Sequence, residues 1–438
     1  MIAAVANLTM EELEKNEPPN LYRGPICSRG GADGISQAFY LPDTLKWLSI
    51  GTMYDHPKSW TFMGGGVAPG EGAVIQYVIS AGGDIYCPEE HAPDRKQKIS
   101  WYFRDGYQPC PVSIWKARGI EVRIEHFAVR DNRDVSTIIY SKIRLTNHGN
   151  DSFIGKLLVN AGPRVEFPIS VYPAVSSPVS MEFKVSMETG EYREFEFAAG
   201  AAGEALDADH PEKYGRYEEN YLRMAEGNNE HIARLAHPTE LPRQGIINMY
   251  KSIQIQLWNY VVKQDGECQI RSNAGNPARI QSYDRPFPHD IPNIVDEFMR
   301  EGDYELGREI LASKTYRRMN SSDLKDWDDL NYMDTIGKFI LPYAQYLQNT
   351  GDTAFFDEEL RGFLKKAAWN IHALRVFDDP EHAGLMRKGE DFENWSDDGD
   401  YLLADNWQLS TDCNLIIISW SGSVKKKRLN GLRERSSP

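Results

Sequence analysis

Three stretches in the C-terminal half concentrate the residue types that carry out acid–base chemistry. They are Gln281-Ser282-Tyr283-Asp284-Arg285-Pro286-Phe287-Pro288-His289-Asp290, Asp326-Trp327-Asp328-Asp329-Leu330-Asn331-Tyr332, and Gly389-Glu390-Asp391-Phe392-Glu393-Asn394-Trp395-Ser396-Asp397-Asp398. Each mixes carboxylates with Trp, Tyr or Phe. Aromatic rings stack on the C–H faces of neutral polyhydroxylated molecules, and carboxylates accept hydrogen bonds from their hydroxyls. Breaking the acetal link between such units needs carboxyl groups as acid and as base or nucleophile. Acids near helix starts also serve as caps and dipole partners, so each carboxylate taken singly has that simpler role open to it.

The positions of these stretches follow from the elements around them. From Pro242 the apolar period is 3.6. Ile246, Tyr250, Ile253, Leu257, Trp258 and Val261 mark a first helix, and Ile294, Val295, Phe298 and Met299 a second, which ends at Glu301-Gly302. Leu306, Ile310 and Leu311 mark a third. Met333, Ile336, Ile340, Tyr343 and Leu347 mark a fourth, kinked at Pro342 and closed by Gly351. Phe356, Leu360, Phe363, Leu364, Ala367, Ile371 and Leu374 mark a fifth, and a sixth starts near Tyr401. No strand signal interrupts this half, which reads as all-α. The three stretches connect the first helix to the second, the third to the fourth and the fifth to the sixth. In stacked helical hairpins every second connection falls on one face, which gathers the acids beside Tyr283, Phe287, Trp327, Tyr332 and Trp395.

The first half reads differently. Val122, Ile124 and Ala128 alternate with Arg123, Glu125 and Val129, and Ile139, Ile143 and Leu145 with Lys142 and Arg144. After the turn Asn147-His148-Gly149-Asn150, a return strand begins at Phe153. Period-two runs punctuated by turns indicate an antiparallel β-sandwich. The expected organisation is an N-terminal segment over 1–34, a sandwich over 35–202, a linker over 203–241, helical near Tyr217 to Ala225, a helical domain over 242–412 and a basic tail over 413–438.

The chain has 438 residues, net charge −15, pI near 5.2 and mean hydropathy −0.53. An acidic surface repels phosphate backbones, which argues against nucleic acid, and no apolar run approaches the roughly 20 residues of a membrane span. Cys27, Cys87, Cys110, Cys268 and Cys413 are scattered without a CxxC, and the N-terminus has no basic signal region. Both features favour a cytoplasmic protein. Gly64-Gly65-Gly66 lacks the following Lys of a phosphate loop, and neither HExxH nor GxSxG occurs. No metal and no cofactor are expected.

A sandwich, a linker and a helical half opening on these loops resemble the six-hairpin (α/α)6 glycosidases, which include glucoamylase-like, glycogen-debranching-like and rhamnosidase-like enzymes. Ser282 to Asp303 (SYDRPFPHDIPNIVDEFMREGD) is similar to the glucoamylase segment in which an aromatic, a basic residue and an Asp precede a helix ending in a Gly-Asp turn. DWDDLNYMDTIGKFILPYAQYLQNTGD resembles the fourth barrel helix, and EDFENWSDDGDYLLADNWQL the stretch after the fifth that carries the general acid. The fold class this implies is multidomain β + α, with an N-terminal antiparallel β-sandwich followed by a partial (α/α)6 toroid of helical hairpins. The activity implied is hydrolysis, of inverting type, of a neutral oligosaccharide or glycoside, the carbohydrate being the one partner.

The resemblance puts the general acid at Glu393, with Glu390 as the second choice, and a hydroxyl-binding carboxylate at Asp290. The residues leave several roles open. Asp290 fits a helix N-cap as well as a sugar ligand. Asp284 and Arg285 fit an ion pair bracing the loop, the favoured reading, or contacts to substrate. Trp327 and Asp328 fit a sugar platform or the core. His289 beside Asp290, with Asp328 and Asp329, could suggest a metal site, but ligation needs three or four converging ligands and no HxxxH or HExxH spacing supports it. The chain departs from the family after Asp412, where LIIISWSGSVKKKRLNGLRERSSP stands in place of the later hairpins and the second carboxylate. Weak or absent turnover is therefore expected. The rival functions are a non-catalytic carbohydrate-binding protein and a glycoside phosphorylase, with a polysaccharide lyase ranked third.

Overall fold

A computed structural model describes residues 47–50, 59–62, 64–70, 73–86, 99–130, 137–162, 179–200, 206, 211–270, 291–319, 338–373 and 375–385. The chain divides into two compact units, Met1–Val262 with Arg271–Arg285, and Lys263–Ile270 with Pro286–Pro438.

In the first unit, strands β1 (Trp47–Ile50), β2 (Ser59–Phe62), β3 (Val67–Gly70), β4 (Ala73–Ala81), β5 (Asp84–Tyr86), β10 (Phe153–Gly162) and β11 (Val179–Met187) make one sheet. Its order is β1-β2-β3-β4-β10-β11, with β5 also paired to β4. Strands β6 (Ser100–Phe103), β7 (Pro111–Ala117), β8 (Ile120–Arg130), β9 (Thr137–Asn147) and β12 (Tyr192–Gly200) make the second, in the order β12-β9-β8-β7-β6. The described pairings are antiparallel, and β8 and β9 run in register from Ile120↔Asn147 to Arg130↔Thr137. The alternating residues of the two sheets meet in one core. Tyr77, Ile79, Leu157, Val159 and Val185 face Trp115, Val122, Ile124, Ile139, Ile143 and Leu145. At the far end of β8 the alternation lapses, and Phe127, Ala128 and Val129 are all buried. The cause is helix α1 (Tyr217–Ile232), whose Tyr217, Tyr221 and Ala225 cover Phe127, Val129, Ile138 and Tyr140 on the outer face.

The strand after Asn150 does not return along β9. It crosses to the other sheet and pairs with β4 and β11. Asn147 makes this corner. It is 1% exposed, and its side-chain amide donates to the carbonyls of Asp151 (2.9 Å) and Met187 (3.2 Å) while its Oδ1 accepts from Gly149 N (2.9 Å). Its backbone joins the β11–β12 turn through Asn147 N to Glu191 O (2.9 Å) and Gly190 N to Asn147 O (2.8 Å). Asn147→Ala is expected to destabilise the protein by about 2 kcal/mol, because three buried or part-buried backbone groups lose their partner. Urea unfolding measures this, and a loss below about 0.5 kcal/mol would rule out the pinning role.

Helix α2 (Gln244–Trp258) completes the described part of this unit before a hairpin of β13 (Val261–Gln264) and β14 (Glu267–Ile270). Two expectations are corrected here. The helical half contains strands: Val261 and Val262 favour extended backbone, and Asp265 (φ 53) and Gly266 (φ 78) form the left-handed two-residue turn that closes a hairpin. The stripe assigned to the first helix is also only partly covered: Trp258 and Val261 are buried, whereas Ile246 and Ile253 are exposed. Ile246, Met249 and Ile253 are 40–45% exposed, whereas Ser252, Gln254 and Gln256 are buried. A periodicity names two sides of a helix, but the neighbours decide which side is covered.

The second unit carries α3 (Ile291–Glu301), α4 (Tyr304–Ala312), α5 (Lys314–Met319), α6 (Leu341–Thr350) and α7 (Glu358–Ala373). Val295, Phe298 and Met299 of α3, Leu306, Ile310 and Leu311 of α4, Tyr343 of α6 and Leu360 and Leu364 of α7 are buried, as their spacing requires. Pro342 stands in the first turn of α6, where its missing N–H costs nothing. Gly351 closes that helix in the left-handed conformation (φ 68). Residues 333–337 and the sixth helix near Tyr401 lie outside the described residues. Among the described residues no helix is long and apolar enough to cross a membrane.

Candidate functional site

Tyr283, Asp284, Arg285, His289, Asp290, Trp327, Asp328, Asp329, Glu390, Glu393 and Trp395 all lie outside the described residues. What is described is the scaffold adjoining them in the chain. Helix α3 is described over Ile291–Glu301. Gly302 then turns the backbone with φ 89, and Asp303 N donates to Phe298 O (2.8 Å). Two buried tyrosines tie the next helices together. Tyr343 donates to Leu311 O (2.8 Å), and Tyr316 to Phe339 O (3.2 Å). Beyond α7 a tight turn pairs Val376 N with Leu385 O (2.7 Å) and holds His382 Nδ1 2.6 Å from Asp379 Oδ2, a few residues before Glu390. Among the described residues no three His, Cys, Asp or Glu side chains are grouped so as to hold a metal ion.

A polar cluster that sequence reasoning did not nominate surrounds Glu125. It lies in the first unit, where α1 meets the outer face of the five-stranded sheet. Glu125, on β8, has a side chain only 8% exposed. Its oxygens accept from Arg123 Nε (2.6 Å), Arg104 Nη1 (3.4 Å) and the Tyr217 hydroxyl (3.2 Å). Arg104 also pairs with Glu218 on α1 and stacks on the Tyr221 ring, 3.6 Å from its centroid. Burial disfavours the Arg104 charge, but the hydrogen bond to Glu218 and the fields of Glu125 and Glu218 outweigh it and raise the pKa. Glu218 is held below the usual carboxylate range, chiefly by that same hydrogen bond. Cys110 lies 3.5 Å from the Tyr217 hydroxyl, and burial, aided by Glu125, pushes its thiol up, so it is no nucleophile.

The loop bearing Arg104 fastens both helices. Asp105 accepts from Tyr221 (2.5 Å), Tyr107 and Gln108 donate to Asn229 (2.6 and 3.0 Å), and Lys251 of α2 lies 4.9 Å from the Tyr107 ring centroid. His231 of α1 stacks on Trp258 of α2 with centroids 3.9 Å apart. Three protein donors converge on Glu125, so the chemistry this cluster supports is bracing. The signal for it in the sequence is the outward Arg123-x-Glu125 pair, but Glu218 lies 114 residues from Arg104 and no local pattern joins them.

Arg104→Met is expected to cost about 2 kcal/mol, since it leaves a buried carboxylate with one guanidinium instead of two. Glu218→Gln is expected to cost less than about 1 kcal/mol, because Glu218 is 46% exposed and water replaces its partner. Equal losses in the two variants, measured by urea unfolding, would show that the exposed pair and not the Glu125 contact fastens the helix.

No family model and no curated protein matches the chain. Similar solved structures include a bacterial glucoamylase complexed with acarbose, 11% identical with TM-score 0.36, covering 76% of this chain and 68% of its own. A family GH92 α-mannosidase from Bacteroides thetaiotaomicron is 10% identical with TM-score 0.32, over 88% of this chain and 70% of its own. The same enzyme in complex with mannoimidazole gives 8% identity and TM-score 0.29, over 81% and 63%. These neighbours are glycoside hydrolases. Likeness at these scores assigns the chain to neither family.

Proposed function

We propose that the chain is a glycoside hydrolase of the six-hairpin type, acting on a neutral oligosaccharide or glycoside with inversion. In this reading residues 242–412 are part of an (α/α)6 toroid, and the 281–290, 326–332 and 389–398 connections share one face. Glu393 donates a proton to the departing glycosidic oxygen while water attacks the anomeric carbon from the other side. Glu390 is the second choice for that role. Asp290 and Asp328 accept hydrogen bonds from sugar hydroxyls, Trp327, Trp395 and Tyr283 give stacking surfaces, and Asp284 with Arg285 braces the first connection. His289 and Asp329 line the same face. The carboxylate that activates the water is not assigned.

The observation that carries this reading is the segment from Ser282 to Asp303. Within its described part, the helix Ile291–Glu301 buries one apolar face and stops at a left-handed Gly302 before Asp303, which supports the likeness to the glucoamylase segment. The test is reducing-sugar release by the purified chain from α-glucosides, α-rhamnosides and neutral oligosaccharides, with and without inorganic phosphate. Release without phosphate supports hydrolysis, and release only with phosphate makes the protein a phosphorylase. Silence on every substrate, together with thermal stabilisation by one sugar, would replace catalysis with carbohydrate binding.

A further inference from the structure

We draw no further inference here: the strongest candidate, the buried hydroxyl and amide groups of Ser252, Gln254 and Gln256 on α2, which meet no hydrogen-bond partner among the described residues, carries nothing because nothing in the structure shows what covers it.

Discussion

Glu393→Gln is expected to lower glycoside hydrolysis by about 10²–10⁴-fold while leaving sugar affinity within about twofold, the range that general acid catalysis contributes. Glutamine keeps the shape of the side chain and can still donate a hydrogen bond to the glycosidic oxygen. It cannot release a proton as the bond breaks, so the leaving group departs as an alkoxide. The loss must then depend on the leaving group. A substrate whose aglycone leaves readily as an anion needs little protonation, and with it the deficit is expected to shrink to about tenfold. The alkaline limb of the pH–rate profile should flatten in the same variant, because that limb reports deprotonation of the essential acid. Glu390→Gln serves as the comparison and should keep most of the rate. If Glu390→Gln carries the leaving-group-dependent loss and Glu393→Gln does not, the two roles are exchanged. A deficit of equal size for good and poor leaving groups would mean that Glu393 positions substrate and transfers no proton.

Acidification from pH 6.5 to about 4 is expected to remove about 3 kcal/mol of stability through one side chain, His126. This histidine is wholly buried between the sheets, and burial lowers its pKa from 6.5 to about 4, opposed only by a hydrogen bond to Gly65. Its Nε2 lies 2.8 Å from the Gly65 carbonyl and must be the protonated nitrogen, since a carbonyl only accepts. Nδ1 then accepts from the Ser141 hydroxyl at 2.8 Å, and Ser141 in turn hydrogen-bonds Tyr77. The neutral ring is thus satisfied at both ends. Below pH 6.5 the unfolded chain takes up a proton that the folded state refuses, so stability falls as pH falls and levels off once the folded pKa is passed. His126→Gln, which retains a donor and an acceptor, should remove this component. The measurement is urea unfolding at intervals between pH 4 and 7 for both proteins. The same pH slope in each would show that His126 already titrates normally.

The anchor of this arrangement also accounts for the triple glycine. Gly64-Gly65-Gly66 is no phosphate loop. It is the β2–β3 turn, in which Gly65 N donates to Phe62 O (2.8 Å) and Phe62 N to Gly66 O (2.9 Å). Gly65 has φ 91, and a Cβ there would come within 2.6 Å of Ile124, so only glycine lets this carbonyl reach His126.

What the sequence determined by itself were the properties carried by neighbours in the chain. Period-two alternation at 120–130 and 137–147 sets the strands and their inward faces, because successive side chains on a strand point to opposite sides. The 3.6 period at 291–301, 304–312 and 358–373 sets the buried helix faces for the corresponding reason. The dense acidic and aromatic stretches at 281–290, 326–332 and 389–398 were equally legible, since composition alone reveals them, and so was the resemblance that suggests a chemistry for them. Tertiary structure alone decided everything that depends on a distant partner. The strand after Asn150 crosses to the other sheet because Asn147 is held by Met187 O and Glu191 O, some forty residues on. The apolar stripe of α2 is exposed at Ile246 and Ile253 and buried at Trp258, which stacks on His231 of α1. Arg104 finds Glu218 across 114 residues because α1 returns to the outer face of the sheet. Such contacts form only when chain closure brings the partners together, and their free energy belongs to the pair, so neither residue's local sequence records it.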